Sequence, residues 1–300
     1  MRKAIDSFLQ YLDVERNSSE LTIKSYREDL EMLCFFLRYD DGSLPTPRDV
    51  TSQDLRQYVA AMSEAQYARS SISRRLATLR SFYRFCQRQG YTDKNPAKPL
   101  RNPRKQRSLP HFLSTEEVAK LISSPDTETP MGKRDQAVFE TMYSAGLRVS
   151  ELVGINDGDL HLDEGLIRVR GKGRKERFAP MGSYAIRAIN SWLSARVLAK
   201  DTPKKASAPV FVNRFGRRIT TRSIGRILEK YIKLVGLDSR TSPHTLRHSF
   251  ATHLLDSGAE IRSVQELLGH KSLVTTQIYT HLTTANLKDI YEKSHPLASK

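Results

Sequence analysis

Apolar residues in the first hundred positions recur every three or four residues, which is the spacing of one buried face of an α-helix. Residues 22–37 show the pattern most clearly, at Ile23, Tyr26, Leu30, Leu33 and Leu37. It repeats over residues 52–62 and 70–89, and Gly90 ends the last of these segments. The pattern therefore predicts an all-helical N-terminal region.

After Pro110 the apolar pattern stays mostly helical but is interrupted once. Residues 166–170 and 176–180 have the pattern of two short strands, and the segment Gly171-Lys172-Gly173-Arg174-Lys175 between them is typical of a hairpin turn. Helical patterns occupy a segment opened by the capping signal at Ser114 and residues 133–144, 183–199, 221–235, 245–256, 260–268, 272–279 and 285–292. The predicted fold class is mainly α with a small antiparallel β-sheet.

Residues 94–110 separate the two regions and have the composition of a linker. They contain four prolines, which prevent a helix, and six basic residues with no acidic one. A chain of 300 residues is also long for a single hydrophobic core. We therefore predict a helical domain at 1–93, a basic linker at 94–110 and a mixed α+β domain at 111–300.

The net positive charge of the chain indicates a polyanionic partner. The formal net charge is +16, an excess that suits DNA. Residues 1–110 carry 20 Lys or Arg against 13 Asp or Glu, and residues 111–300 carry 29 against 20, so both regions are basic. No apolar run reaches the roughly eighteen residues of a membrane span, and no signal-peptide region follows Met1. We expect a cytoplasmic protein that binds DNA from two sides and contacts no membrane.

The helical segment at 69–89 is unusual because it carries six arginines and no acidic residue. Helix surfaces usually alternate in charge sign, so a surface of one sign needs a reason. A solvated face is the simple explanation, and contact with DNA phosphates is the one that we favour. The predicted DNA-binding residues are Arg74, Arg75 and Arg80 in this segment and Arg104 and Lys105 in the linker.

Four segments of the second region carry residues suited to phosphate chemistry, namely those around Arg148, Lys172, His244 with Arg247, and His270 with Tyr279. Each has an ordinary explanation when it is taken alone. Arg148 could pair with Glu151 three residues on, Lys172 could be an exposed turn residue, and Tyr279 could be a core aromatic. His244 and His248 lie one helical turn apart, but Thr245 stands where a zinc-hydrolase motif needs Glu.

Taken together, these residues suit phosphoryl transfer. Two arginines can clamp the non-bridging oxygens of a phosphodiester, which gains negative charge as its phosphorus becomes five-coordinate. A tyrosine that attacks phosphorus keeps the bond energy in a new phosphodiester, so ATP is not needed. A lysine on a glycine-flanked tip can protonate the departing 5′ oxygen. We expect a reaction that needs no metal and no cofactor.

The order and the sequences of these segments resemble those of the tyrosine recombinase (phage integrase) family. The resemblance is carried by Arg148 in Gly-Leu-Arg-x-Ser-Glu-Leu, by His244-x-x-Arg247, by Leu-Leu-Gly-His270 and by Thr-Thr-Gln-Ile-Tyr279-Thr-His. It extends over nearly the whole chain and is closest to the Xer recombinases of bacterial chromosomes. It implies two domains that clamp DNA, a helical core-binding domain and a catalytic domain.

The resemblance also implies a catalytic set of six residues: Arg148, Lys172, His244, Arg247, His270 and Tyr279. Tyr279 forms a 3′-phosphotyrosyl link, and the two arginines bind the scissile phosphate with the help of the two histidines. Lys172 is the general acid. Glu151 orients a neighbouring arginine, whereas His248 and His253 have structural roles.

The partners implied by the resemblance are double-stranded DNA and further protomers. Four protomers act on two duplexes as a homo- or hetero-tetramer, with a paralogous Xer recombinase as the expected second subunit. A C-terminal helix, here residues 287–291, docks into the neighbouring protomer, and an FtsK-type translocase is a possible activator. The implied role is resolution of chromosome dimers at cell division.

Three alternatives to this role remain at the level of sequence. The first is a phage, plasmid or integron integrase with the same chemistry. The second is a DNA-binding protein that has lost cutting, against which the complete catalytic set argues. The third is a metal-dependent nuclease, against which we count the apparent lack of an Asp-x-Asp pair or carboxylate cluster of the kind that holds magnesium.

Overall fold

The structure, a computed structural model, describes residues 1–103, 111–171, 176–203, 205–269 and 290–296. Contacts along the chain divide it into two units, Met1–Ser108 and Leu109–Lys300. The predicted fold class, mainly α with a small antiparallel sheet, is confirmed. The helix predicted at 272–279 lies outside the described residues.

Unit 1 contains four described helices, α1 (Arg2–Val14), α2 (Glu20–Phe36), α3 (Ser52–Glu64) and α4 (Arg69–Arg88). Side chains fix where they begin, since Thr51 and Asp54 form a reciprocal capping box at the start of α3. The apolar stripes of the helices meet in a core in which Phe8, Leu33 and Phe82 are fully buried. The helical spacing read from the sequence is thus the pattern of this core.

The arginines of α4 are partly neutralised by a residue of α2. Asp29 is 1% exposed. It accepts hydrogen bonds from Arg74 Nη1 and from Thr78 Oγ1, and Arg75 Nε lies 3.5 Å from its Oδ1. Arg80 donates to the backbone oxygen of Leu100. The arginine surplus of this segment is therefore smaller than the sequence suggests, because the compensating carboxylate comes from another helix.

Unit 2 contains a three-stranded antiparallel sheet surrounded by helices. The strands are β1 (Leu160–His161), β2 (Leu166–Arg170) and β3 (Glu176–Pro180), in the order β1-β2-β3. The helices are α5 (Thr115–Ile122), α6 (Pro130–Ser144), α7 (Val149–Val153), α8 (Ser183–Ala195), α9 (Thr221–Val235), α10 (Pro243–Asp256) and α11 (Ile261–Leu268). None of the helices in the described part of the chain has the length and apolar character needed to cross a bilayer.

Helix α6 is the central element of unit 2, and 11 of its 15 residues are buried. The core around it includes Phe139 and Tyr143 of α6, Ile167 of β2, Trp192 of α8 and Phe250 of α10. Trp192 is the single tryptophan of the chain and is 1% exposed. Its fluorescence therefore reports on the folding of unit 2 alone.

The described C-terminal segment, residues 290–296, lies against the core of its own chain. Tyr291 is 1% exposed, and its hydroxyl is 2.6 Å from Ser144 Oγ. Its ring stacks on His295 with 4.7 Å between centroids. The resemblance implies that 287–291 docks into a neighbouring protomer. In this structure Ile290 and Tyr291 pack against the core of unit 2. The docking of 287–291 into a neighbouring protomer stays a prediction.

Glu140 makes the stability of unit 2 dependent on pH. Its side chain is buried on α6, and its Oε2 has no hydrogen-bond partner among the described residues. Burial raises the pKa of Glu140 to about 7, against the opposing effect of the Arg187 charge. A carboxyl whose pKa is raised on folding stabilises the folded state at low pH and loses that contribution as pH rises through the folded value.

We therefore expect Glu140→Gln to gain stability relative to the wild type by about 3 kcal/mol between pH 4.5 and pH 8, at 1.36 kcal/mol per pKa unit. Denaturant unfolding followed by Trp192 fluorescence measures the difference. Glu229→Gln, at an exposed carboxylate on α9 that pairs with Lys233, is the matched control. Equal pH dependence of the wild type and Glu140→Gln would contradict the prediction.

Candidate active site

A tight turn between α6 and α7 fixes the position of Arg148. Gly146 has φ +55°, and a Cβ atom there would lie 2.5 Å from the Phe250 ring, so only glycine fits. Arg148 follows as the residue that caps α7. Its backbone N–H donates to Glu151 Oε2 at 2.8 Å, and its Nη1 donates to Glu151 Oε1 at 2.7 Å. The side chain of Arg148 stays 38% exposed, so it is within reach of a ligand from solvent.

Arg247 is held more deeply, on α10. This helix begins at Pro243 and is capped by Ser242, whose side chain accepts from the Thr245 N–H. The Arg247 guanidinium donates from Nη1 to the Gly146 carbonyl at 2.6 Å and from Nη2 to the Leu268 carbonyl. Burial, reinforced by the positive charge of Arg148, lowers the pKa of Arg247 to about 10. Arg247 is therefore a fixed cation at neutral pH.

A buried carboxylate, Glu151, joins the two arginines. Besides Arg148, it contacts Arg247, whose Nη1 lies 3.7 Å from Glu151 Oε2. Burial acts to raise the pKa of Glu151, but the charge of Arg177 and hydrogen bonds from Arg177 and Arg148 outweigh it, so that the pKa is lowered. Glu151 remains ionised and orients Arg148, as the sequence resemblance implies.

Arg177 of β3 is the one member of this cluster that the sequence analysis did not identify. It is 7% exposed. Its Nη1 and Nη2 each lie 3.2 Å from one oxygen of Glu151, and its Nε donates to the Leu267 carbonyl at 3.2 Å. An arginine in a short strand carries no signal of its own, because its partners belong to α7 and α11.

The cluster also fixes the end of α11. Arg177 and Arg247 bind the carbonyls of Leu267 and Leu268, two of the groups that a helix leaves without partners at its C-terminus. Gly269 follows in the left-handed conformation, with φ +65°. The next residue is His270, so the chain leaves the arginine cluster directly before a predicted catalytic position.

The structure locates three of the six predicted catalytic residues. Arg148 and Arg247 meet at Glu151, and His244 is exposed on the first turn of α10, three residues before Arg247. Lys172, His270 and Tyr279 lie outside the described residues, as do the predicted DNA-binding residues Arg104 and Lys105.

The two other histidines of α10 differ in their surroundings. His253 is buried, and its Nδ1 is 2.8 Å from the Tyr143 hydroxyl. His248 is exposed and packs edge-on against Phe112 with 6.3 Å between ring centroids. These contacts agree with structural roles for both residues.

An Asp-x-Asp pair, Asp157 and Asp159, was overlooked in the sequence analysis. Each carboxylate is occupied by arginine. Asp157 accepts from Arg196 at 2.7 Å through both oxygens. Asp159 is buried and accepts from Arg168 and Arg170. The pair therefore joins structural elements around the sheet.

Comparison with known proteins shows which family the chain belongs to. The model of the phage integrase family matches residues 111–286, and that of the N-terminal SAM-like domain of phage integrases matches residues 5–90. The chain belongs to the phage integrase family.

Individual relatives indicate which activity within the family this chain has. Tyrosine recombinase XerC of Pelotomaculum thermopropionicum is 46% identical over 98% of this chain and 98% of its own. Tyrosine recombinase XerD of Listeria innocua is 42% identical over 99% of this chain and all of its own. The predicted activity, site-specific recombination by a DNA strand-transferring enzyme of the Xer type, is confirmed. The alternative of a phage, plasmid or integron integrase is not favoured.

The fold has a counterpart among solved structures. The integrase of transposon Tn1549, solved in complex with circular intermediate DNA, superposes with a TM-score of 0.72 over 95% of this chain and 94% of that one. Sequence identity is 19%, so the likeness shows a shared fold.

Proposed function

We propose that this Xer-type recombinase cuts double-stranded DNA by attack of Tyr279 Oη on the scissile phosphorus, with Arg148 and Arg247 as the phosphate clamp. The observation that carries the proposal is that both arginines lie on one buried carboxylate, Glu151. Arg247 is further fixed by two backbone carbonyls. Donors held in this way need little reorganisation when the phosphorus gains charge.

The chemical step conserves bonds and protons. The bond from Tyr279 Oη to phosphorus forms as the bond from phosphorus to the 5′ oxygen breaks, which leaves a 3′-phosphotyrosyl link and a free 5′ hydroxyl. The phenol releases one proton to solvent, and the 5′ oxygen gains one from Lys172 as the general acid, which then takes a proton back from solvent. His244 and His270 complete the hydrogen bonds to the phosphate. The reverse step, by a 5′ hydroxyl from another duplex, rejoins the strands.

The assembly that we propose is a tetramer on two duplexes, in which this chain is paired with a paralogous Xer recombinase. The amino-acid sequence of residues 133–148 favours XerC over XerD as the counterpart of this chain. We propose chromosome dimer resolution at cell division as the role, in the cytoplasm, with an FtsK-type translocase as activator. Arg74, Arg80, Arg104 and Lys105 are the proposed phosphate contacts of the first region. Arg75 contributes less, since its side chain is 12% exposed.

Trapping of the covalent intermediate tests the proposal. A recombination site nicked a few nucleotides downstream of the scissile phosphate releases, after cleavage, the short fragment that carries the free 5′ hydroxyl, so the adduct cannot be reversed. We expect the wild-type chain to form this adduct in EDTA and without ATP, and peptide mapping to place the DNA on Tyr279. Cleavage that depends on magnesium, or an adduct on another residue, would overturn the proposed mechanism.

A further inference from the structure

The charge of the arginine cluster exceeds what a phosphate clamp of two arginines requires. Three guanidinium groups surround one carboxylate, which gives a net charge of +2. Arg148 and Arg247 alone with Glu151 would leave +1. A phosphodiester carries one negative charge, and its five-coordinate transition state carries about two. With the third arginine, the positive charge of the site equals the negative charge of the transition state in magnitude.

We propose that Arg177 is a positioning residue that neutralises Glu151, so that Arg148 and Arg247 present their full charge to the scissile phosphate. This inference rests on the proposed function, because it assigns Arg177 to the same reaction. Arg177 acts through its neighbours. It binds both oxygens of Glu151, whereas Arg247 lies 3.7 Å from that carboxylate.

Competition for Glu151 explains why a third arginine is needed. A buried carboxylate holds nearby guanidinium groups strongly, because water does not screen the attraction. Without Arg177, the negative charge of Glu151 would partly offset the positive charges of Arg148 and Arg247 and weaken their attraction for the phosphate. With Arg177 bound to both oxygens, Glu151 is satisfied and still orients Arg148 through its backbone N–H and Nη1.

The Nε atom of Arg177 adds a second effect on the same site. It donates to the Leu267 carbonyl at the end of α11, three residues before His270. The Cδ of Arg177 is also 3.2 Å from the point where a Cβ on Gly269 would lie. The strand that carries Arg177 is thus joined to the chain that leads to His270, so that one side chain ties the clamp to a second part of the active site.

The test measures single-turnover cleavage of a nicked site that carries either a normal scissile phosphate or a methylphosphonate. A methylphosphonate has a methyl group in place of one charged oxygen, so its transition state carries one negative charge less. We expect Arg177→Met to slow cleavage of the normal phosphate by up to about 10²-fold, the lower end of the effect of losing a direct transition-state donor, because Arg177 acts through Arg148 and Arg247. The methylphosphonate should be slowed by less than about tenfold, and Arg177→Lys should recover most of the rate on the normal phosphate.

Arg196→Met is the matched control. Arg196 is 10% exposed and also binds both oxygens of a carboxylate, Asp157, together with the backbone carbonyls of Pro209 and Val210. Its loss removes an equally buried arginine without changing the charge of the clamp. It should therefore slow the two substrates by the same factor. Equal slowing of both substrates by Arg177→Met would overturn the inference and leave only a structural role.

The outcomes separate this inference from the proposed function. If the wild-type chain forms no adduct on Tyr279, the proposed function fails. If it does form the adduct and Arg177→Met cleaves the normal phosphate at the wild-type rate, the inference alone fails. Trp192 fluorescence shows whether each variant folds. If Arg177→Met does not, Arg177→Lys decides, because a loss of about 10²-fold on both substrates would contradict a role based on charge.

Discussion

Replacing Tyr279 with phenylalanine is expected to abolish the covalent adduct while leaving DNA binding nearly unchanged. The variant lacks only the hydroxyl oxygen that forms the bond to phosphorus in the proposed reaction. Binding depends on the basic surface of the chain, whose net charge of +16 is unaffected. Adduct formation on a nicked site and a gel-shift titration at the same salt concentration measure the two quantities.

The control for this expectation uses another tyrosine of unit 2. Tyr184→Phe on α8 removes a hydroxyl from a ring that stacks on Arg187, at 4.4 Å from its guanidinium carbon. It should form the adduct at the wild-type rate. An adduct that persists in Tyr279→Phe would show that Tyr279 is not the nucleophile. A loss of DNA binding in this variant would contradict the expectation that binding depends on the basic surface.

The elements that the sequence predicted well are those whose signal is local. The apolar spacing of residues 22–37 and 70–89 arises from one face of each helix, so α2 and α4 could be located without knowing their neighbours. The hairpin of β2 and β3 could be located for the same reason, because its pattern change and its glycines lie within fifteen residues. The short β1 pairs with β2 through only two residues and carried no such signal.

What the sequence analysis missed depends on contacts between distant positions. Asp29 neutralises arginines 45 or more residues away, and nothing on α4 indicates it. Arg177 is separated by 26 residues from Glu151 and by 90 from Leu267. Arg148 and Arg247 could be identified because family motifs contain them. Their shared carboxylate gave only the local signal of an arginine–glutamate spacing, which fits any helix.

The role of Glu151 illustrates how the structure changes a local interpretation. At three residues from Arg148, it reads as half of an ordinary helical ion pair, which contributes little when exposed to solvent. The structure buries it and surrounds it with three arginines. A buried charge is tolerated only when it is well paired. The requirement for Arg177 follows from the burial of Glu151, and the burial is a property of the fold.

Replacing Arg247 with lysine is expected to slow cleavage by about 10³-fold at neutral pH, the upper range for one transition-state donor. Arginine offers two Nη groups and Nε in one plane, which allows it to bind the Gly146 and Leu268 carbonyls and still face a phosphate. A single ammonium cannot satisfy these acceptors and the phosphate together. DNA affinity should change by only a few-fold.

The pH dependence of Arg247→Lys gives a sharper test, because burial and the charge of Arg148 lower the pKa of a cation at this position. Arginine with a pKa of about 10 remains charged across the physiological range. Lysine begins from a lower value than arginine, so the same surroundings bring its pKa towards neutrality. The remaining activity of Arg247→Lys should therefore fall between pH 7 and pH 9, where the clamp of the wild-type chain keeps its charge. A variant with the same pH profile as the wild type would show that lysine at position 247 keeps its charge over this range, which would contradict the expected lowering of its pKa.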